Sequence, residues 1–153
     1  MTWFHVRGNP APQGSKQAFV RGRRAVLVET SKRLPAWRIA VQDAALQHLD
    51  PIPAGVPVSV EIVFVMPRTK AMGNRPAPPM VQRPDADKLA RAVLDGLTGP
   101  AFADDSQVVR LVVDKRRADP GEETGARINV EALKPPTPTR CAGEGQTPAA
   151  GPK

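Results

Sequence analysis

Several reactive residue types are scarce or missing in this chain of 153 residues. Cys141 is the single cysteine, which excludes an internal disulfide and a zinc site built on several cysteines, and is typical of a reducing cytoplasm. Tyrosine is absent, and histidine occurs only at positions 5 and 48. A phosphotyrosine intermediate is therefore excluded and a multi-histidine metal site is disfavoured, so carboxylates are the main chemistry left.

Long apolar runs are missing as well. The longest, residues 57–66, contains Glu61 and is much shorter than the roughly 20 residues that span a bilayer. The first 16 residues also lack the charged start and apolar core of a signal peptide. These features predict a cytoplasmic protein with no membrane partner.

Positive charge, in contrast, is abundant and unevenly placed. The formal net charge is +7, and residues 1–40 carry eight basic side chains against the single acid Glu29. Residues 41–133 are slightly acidic. A basic N-terminal segment and a slightly acidic central segment are expected if the first binds phosphates and the second binds a cation. The alternative is a basic surface that serves only solubility.

Two segments have the periodicity of amphipathic helices. The first begins near Pro35 and continues to about Leu49, with apolar residues at helical spacing. The second covers residues 87–99 and begins at Asp87, which suits an N-cap, and it ends at glycines. Its apolar side is formed by Leu89, Ala92, Val93 and Leu97.

Strand patterns occupy much of the remaining chain. Residues 57–66 alternate as a strand with one mostly buried side. Residues 107–117 and 126–133 flank a Pro-Gly loop and predict an antiparallel hairpin. A second hairpin is predicted near the N-terminus, with a basic tip at residues 21–24.

Proline and glycine mark the predicted boundaries. Residues 67–84 contain five prolines and four basic side chains, which predicts a mobile basic loop without regular structure. Residues 134–153 are rich in Pro, Gly and Ala and lack large apolar side chains, so a disordered tail is expected. One domain over residues 1–133 remains, of the α+β class, with a small mixed β-sheet packed against two main helices.

Two aspartate pairs carry the candidate chemistry. Asp85 and Asp87 stand two positions apart just before a helix, where an extended approach would point both to the same side. Asp104 and Asp105 follow that helix after a short connection. Carboxylates about 4 Å apart repel by about 4 kcal/mol at an effective dielectric of 20, so a converging cluster needs a cation, and hard oxygen ligands favour Mg²⁺ or Mn²⁺. The alternative is a capped helix and an ordinary loop.

A basic side chain accompanies the first pair. Arg91 lies four residues after Asp87 and hence on the same helix face. It is a candidate for binding a scissile phosphate or stabilising its transition-state charge. A simple surface ion pair between Asp87 and Arg91 is the alternative.

The segment RPDADKLARAVLDGLTGPAFADDSQVV, residues 83–109, resembles the signature of the RusA family of Holliday junction resolvases of bacteria, phages and prophages. The shared pattern is Asp-x-Asp-[Asn/Lys]-Leu, a basic residue, Leu-Asp-x-Leu and Asp-Asp-x-Gln-Val. The resemblance extends over about residues 3–133. It implies an α+β fold with a mixed sheet, a homodimer, and magnesium-dependent paired nicks across a four-way junction. Asp85, Asp87 and Asp105 match the family's essential metal carboxylates, with Asp104 in the same cluster.

One position departs from the family pattern. The family commonly has a catalytic lysine four residues after the second aspartate, where this chain has Arg91. Arginine keeps the charge but does not readily lose a proton, so it is poorly suited to a proton-donor role there. Lys88 and Lys115 are the alternatives.

Together these features predict a magnesium-dependent endodeoxyribonuclease that resolves branched DNA in recombination and repair, in a bacterial cell or a phage-infected host. The predicted catalytic residues are Asp85, Asp87, Asp105 and Arg91. Nine basic residues are predicted to bind DNA phosphates: Lys16, Arg21, Arg23, Arg24, Arg68, Lys70, Arg75, Lys88 and Lys115. The alternatives are a less selective nuclease of flaps and forks, and a non-catalytic DNA-binding protein.

Overall fold

The computed structural model describes residues 3–14 and 32–134, together with the backbone of the strands at 17–21 and 24–28. The strands are β1 (Trp3–Arg7), β2 (Gln17–Arg21), β3 (Arg24–Val28), β4 (Val58–Met66), β5 (Val108–Arg117) and β6 (Gly125–Ala132). The helices are α1 (Leu34–His48) and α2 (Ala86–Leu97), with short 3-10 helices at Lys70–Met72 and Asp105–Gln107. The predicted tail beyond Lys134 lies outside the described residues.

Four of the strands form a mixed sheet in the order β1-β6-β4-β5. β4 is antiparallel to β6 and parallel to β5, and β1 is antiparallel to β6. Since parallel neighbours need a crossover, the chain leaves the end of β4, passes through α2, and returns to the start of β5. This confirms the predicted α+β class with a mixed sheet and two main helices, and it brings α2 alongside β5.

The predicted hairpin between residues 107–117 and 126–133 is wrong, because β4 lies between those strands. β4 buries side chains on both faces, including Ser59 and Val65, whereas Val109 and Leu111 of β5 are exposed. A strand buried on both faces belongs inside a sheet, and an exposed strand is tolerated at its edge. The N-terminal hairpin is confirmed, with Arg21 opposite Arg24, although residues 22–23 of its tip lie outside the described part of the chain.

Both helices pack on one face of the sheet. α1 buries Leu34, Trp37, Val41 and Ala45, and α2 buries the four apolar residues that its periodicity predicted. Gly96 lets the two helices approach, because a Cβ there would lie 2.9 Å from Cγ1 of Val41. Within the described residues, no helix is both long and apolar enough to cross a bilayer.

Glu122 stabilises the connection between β5 and β6 through several polar contacts. It accepts from Nη1 and Nη2 of Arg116 at 2.6 and 2.8 Å and from the backbone N–H of Asp119 at 2.9 Å, and Arg127 lies at 3.3 Å. The Arg116 guanidinium is the main cause that lowers the pKa of Glu122 to about 2. The contact is a bidentate, charge-assisted pair, the stronger kind of hydrogen bond.

We expect Glu122→Gln to lower the free energy of unfolding by about 1–2 kcal/mol at pH 7. Because the folded-state pKa lies below the ordinary value, the carboxylate stabilises the fold above about pH 4.5, and this contribution is lost as the pH falls towards 2. Urea unfolding of both proteins at pH 7 and pH 3 measures the difference. Glu123→Gln is the matched control, since Glu123 is exposed and pairs only with Arg7 at 3.3 Å among the described residues. An equal loss in the free energy of unfolding at both pH values would show that the charge of Glu122 does not stabilise the fold.

Candidate active site

A cleft of about 580 Å³ lies between α2 and β5. Its polar lining is Asp87, Arg91 and Asp105, and its apolar lining comes from both elements: Ala86, Ala90, Leu94, Leu111 and Val113. Asp87 and Arg91 reach it together because residues four apart share a helix face. Asp105 reaches it from the turn that precedes β5. One aspartate of each predicted pair therefore faces the same cleft, beside the predicted arginine.

The Asp104–Asp105 turn is fixed by a reciprocal cap. Oδ1 of Asp104 accepts from the backbone N–H of Ser106 at 2.8 Å, and Oε1 of Gln107 accepts from the backbone N–H of Asp104 at 3.0 Å. Nε2 of the buried Gln107 also donates to the carbonyls of Pro53 and Val56, at 2.8 and 3.0 Å. Gln107 therefore positions both aspartates. Its role was missed from the sequence, although Asp-x-x-Gln is the spacing of a capping box.

The surroundings of Asp105 disfavour the ionised form of its carboxyl group. A shared hydrogen bond with Asp104 is the main cause that raises the pKa of Asp105, followed by partial burial and by the charges of Asp104 and Asp95, while Arg91 opposes the change. The Ser106 N–H lowers the pKa of Asp104. A bound cation would relieve this repulsion, and an all-carboxylate donor set fits a hard ion such as Mg²⁺.

Asp85 does not join Asp87 in the cleft lining. α2 begins at Ala86 with Asp85 as its N-cap, so the predicted N-cap at Asp87 is wrong. Asp87 lies in the first turn of α2 and not in an extended segment before it. Oδ2 of Asp85 lies 3.6 Å from Nζ of Lys88. Among the described residues, no three His, Cys, Asp or Glu side chains lie close enough to hold a metal ion. The four-aspartate ligand set therefore stays a prediction.

Of the three candidate cations, Arg91 is the one that lines the cleft. Lys88 is paired with Asp85. Lys115, on β5, donates from Nζ to the carbonyls of Gln82 and Pro84 at 2.8 and 3.0 Å. Those two carbonyls belong to the segment that leads directly into Asp85 and α2. Through these contacts Lys115 holds the backbone that precedes the first aspartate pair.

We expect Lys115→Met to lower kcat of the predicted DNA cleavage by about tenfold with little change in KM, because the start of α2 loses its fixed position. Lys115→Arg keeps the charge and donors and should recover part of the rate. Steady-state kinetics with a DNA substrate measures both constants. A raised KM at unchanged kcat would instead identify Lys115 as a DNA-binding residue.

Two other residues predicted to bind DNA, Arg68 and Arg75, donate hydrogen bonds to backbone carbonyls in or next to the loop at 67–84. Arg68 donates to the carbonyls of Ala118 and Gly73 at 2.8 and 3.0 Å, and Arg75 donates to that of Ala71 at 2.6 Å. The loop also forms the 3-10 turn Lys70–Met72, so the prediction that it lacks regular structure is wrong there. Lys70 is exposed. DNA contacts by these three residues stay predictions.

The remaining predicted DNA contacts fall in the N-terminal hairpin region. Lys16 and Arg23 lie outside the described residues, and Arg21 and Arg24 are described only as strand backbone. Their roles also stay predictions.

Carboxylates that can hold a divalent cation beside an arginine suit the hydrolysis of a phosphodiester, and a basic protein suits a nucleic-acid substrate. The family model described as Endodeoxyribonuclease RusA matches residues 8–131. The chain therefore belongs to the RusA endodeoxyribonuclease family, which acts on Holliday junctions, and the resemblance seen in residues 83–109 is confirmed. Both aspartate pairs and Arg91 lie inside the matched region. Comparison with curated proteins finds no match.

Proposed function

We propose that the chain is a magnesium-dependent endonuclease that resolves four-way DNA junctions by paired nicks, in recombination and repair. Family membership supports an endodeoxyribonuclease. The observation that carries the assignment of the site is that Asp87, Arg91 and Asp105 line one cleft, although they come from two different elements.

Asp87 and Asp105 would hold the metal, with Asp85 and Asp104 as the further candidates. When bound there, Mg²⁺ or Mn²⁺ supplies charge stabilisation at the scissile phosphate and an activated water. Carboxylates suit this task because they offer hard oxygen atoms. Asp85 is also available for this role. It occupies the N-cap position of α2, but its side chain makes no capping hydrogen bond.

Arg91 binds a phosphate oxygen in this proposal. Its guanidinium reaches the cleft next to both aspartates and stabilises negative charge that develops on the phosphate. Leu111 and Val113 form part of the cleft wall beside it. Arginine keeps its proton, so the leaving oxygen takes its proton from water and not from this side chain.

A homodimer suits the reaction. A two-fold dimer presents two identical clefts to two strands of a nearly symmetric junction, which accounts for paired nicks. The basic surface holds phosphates without reading bases, so recognition depends on the shape of the DNA and weakens with salt. The reaction would take place in the cytoplasm of a bacterial cell or a phage-infected host.

The test uses a labelled four-way junction, a fork, a flap and a linear duplex of the same sequence, each with Mg²⁺. We expect symmetric nicks on two opposing strands of the junction and much slower cutting of the linear duplex. Similar rates on every substrate would favour the less selective nuclease. Tight junction binding without any cleavage would favour the non-catalytic DNA-binding protein.

A further inference from the structure

A second cleft, of about 410 Å³, meets the first at Asp105. The five residues that line it are all polar or charged: Arg38, Asp95, Thr98, Asp104 and Asp105. Arg38 comes from α1 and Asp95 from α2, so the two packed helices and the Asp104–Asp105 turn build it together. Arg38 is the basic side chain of this lining, as Arg91 is of the first cleft.

Arg38 is held in place from two sides. Its Nη2 donates to Oε1 of Gln13 and lies 3.5 Å from Oδ2 of Asp95. The backbone N–H of Gln13 in turn donates to the carbonyl of Lys88 at 3.0 Å, which joins the segment after β1 to the first turns of α2. The guanidinium is thus oriented before any ligand arrives, which lowers the entropic cost of binding one.

The contacts of Arg38 leave binding capacity unused. Both contacts involve Nη2, so Nη1 has no hydrogen-bond partner among the described residues. Nε has none either, but it is buried. The Asp95 contact is long, and both side chains are more than a third exposed, at 36% and 37%. An exposed pair of this kind contributes little to stability. A role in fold stability alone is therefore a weak explanation for an arginine in this position.

We propose that Arg38 binds a DNA phosphate next to the scissile one, so that the strand crosses Asp105 with Arg91 on one side and Arg38 on the other. The proposal rests on the proposed function, which places the cleavage site at Asp105. Three carboxylates also line this cleft and their charge opposes a phosphate, which the cation of the proposed site at Asp105 would offset. Arginine suits the task, because its planar fork matches phosphate oxygens.

The test is the salt dependence of binding to a four-way junction, measured with Ca²⁺ as the cation and with the DNA strands checked to be intact. Each phosphate contact contributes about 0.9 to the slope of log K against log salt concentration. We expect Arg38→Ala to weaken binding by about five- to twentyfold and to reduce the slope by about 1. Arg38→Lys should retain the wild-type slope.

Arg110→Ala is the matched control. Arg110 is an exposed arginine paired with Glu61 at 2.7 Å, and neither cleft is lined by it. We expect binding within twofold of wild type and an unchanged slope. Arg38→Gln keeps a donor for Gln13 while removing the charge, so it serves the same test should Arg38→Ala fail to fold.

A purely local role is tested with Asp95→Asn. If Arg38 only neutralises Asp95, the double variant Arg38→Ala with Asp95→Asn will bind like wild type, and the proposal is overturned. If Arg38 binds phosphate, the double variant keeps the reduced slope. An unchanged slope in Arg38→Ala also overturns the proposal. A wild-type protein that neither binds nor cuts the junction would instead overturn the proposed function.

Discussion

Asp87→Asn should lose at least 100-fold in the rate of junction cleavage while binding the junction within about threefold of wild type. Asn has the shape of Asp but no charge. It therefore cannot neutralise the charge of a cation in the cleft that Asp87 shares with Asp105 and Arg91. Binding persists because it depends on basic residues elsewhere. Single-turnover cleavage and a gel-shift titration with the same labelled junction measure the two effects.

Asp43→Asn is the control for this change. Asp43 is an exposed aspartate on α1, outside the lining of both clefts, and its loss of charge should leave the cleavage rate within twofold of wild type. Cleavage by Asp87→Asn at the wild-type rate would refute the role given to this carboxylate. Equal loss of cleavage and binding would point to a folding defect instead.

Gln107→Leu should reduce both stability and activity. The buried amide makes three hydrogen bonds, to the Asp104 N–H and to the carbonyls of Pro53 and Val56. Leucine would leave these groups unpaired, at a cost of about 2–3 kcal/mol in the free energy of unfolding. The Asp104–Asp105 turn would lose its anchor, so we expect cleavage to fall by at least tenfold.

Urea unfolding and single-turnover cleavage measure these two effects. Gln42→Leu, at an exposed position of α1, is the matched control and should change neither by much. Gln107→Glu retains the acceptor for the Asp104 N–H but sets a buried carboxylate against two carbonyl oxygens, so it should be at least as destabilising as Gln107→Leu. A stable, fully active Gln107→Leu would show that the turn is fixed by other contacts.

The helices and the central strand were predictable because their signals are local. The spacing of Trp37, Val41 and Ala45 reports one face of α1, and the alternation of residues 58–66 reports the buried face of β4. The pairing of β5 was not predictable in this way. Two strand patterns separated by a short Pro-Gly loop resemble a hairpin, and only the burial of β4 on both faces places it between them.

The same distinction applies to the site. Asp87 and Arg91 share a helix face by spacing alone, which the sequence reveals directly. The Arg38–Asp95 pair joins residues 57 positions apart and depends on how α1 packs on α2. Composition likewise cannot separate cations that face solvent from those, such as Arg68 and Lys115, that donate to backbone carbonyls.

The most direct test of the site is the metal dependence of cleavage by the wild-type protein. Protein treated with EDTA and then dialysed is incubated with the labelled junction, first without a divalent cation and then with Mg²⁺ or Mn²⁺. We predict no nicking without the metal and paired nicks when either ion is added. Nicking at the same rate in EDTA would contradict a carboxylate-held metal at Asp87 and Asp105.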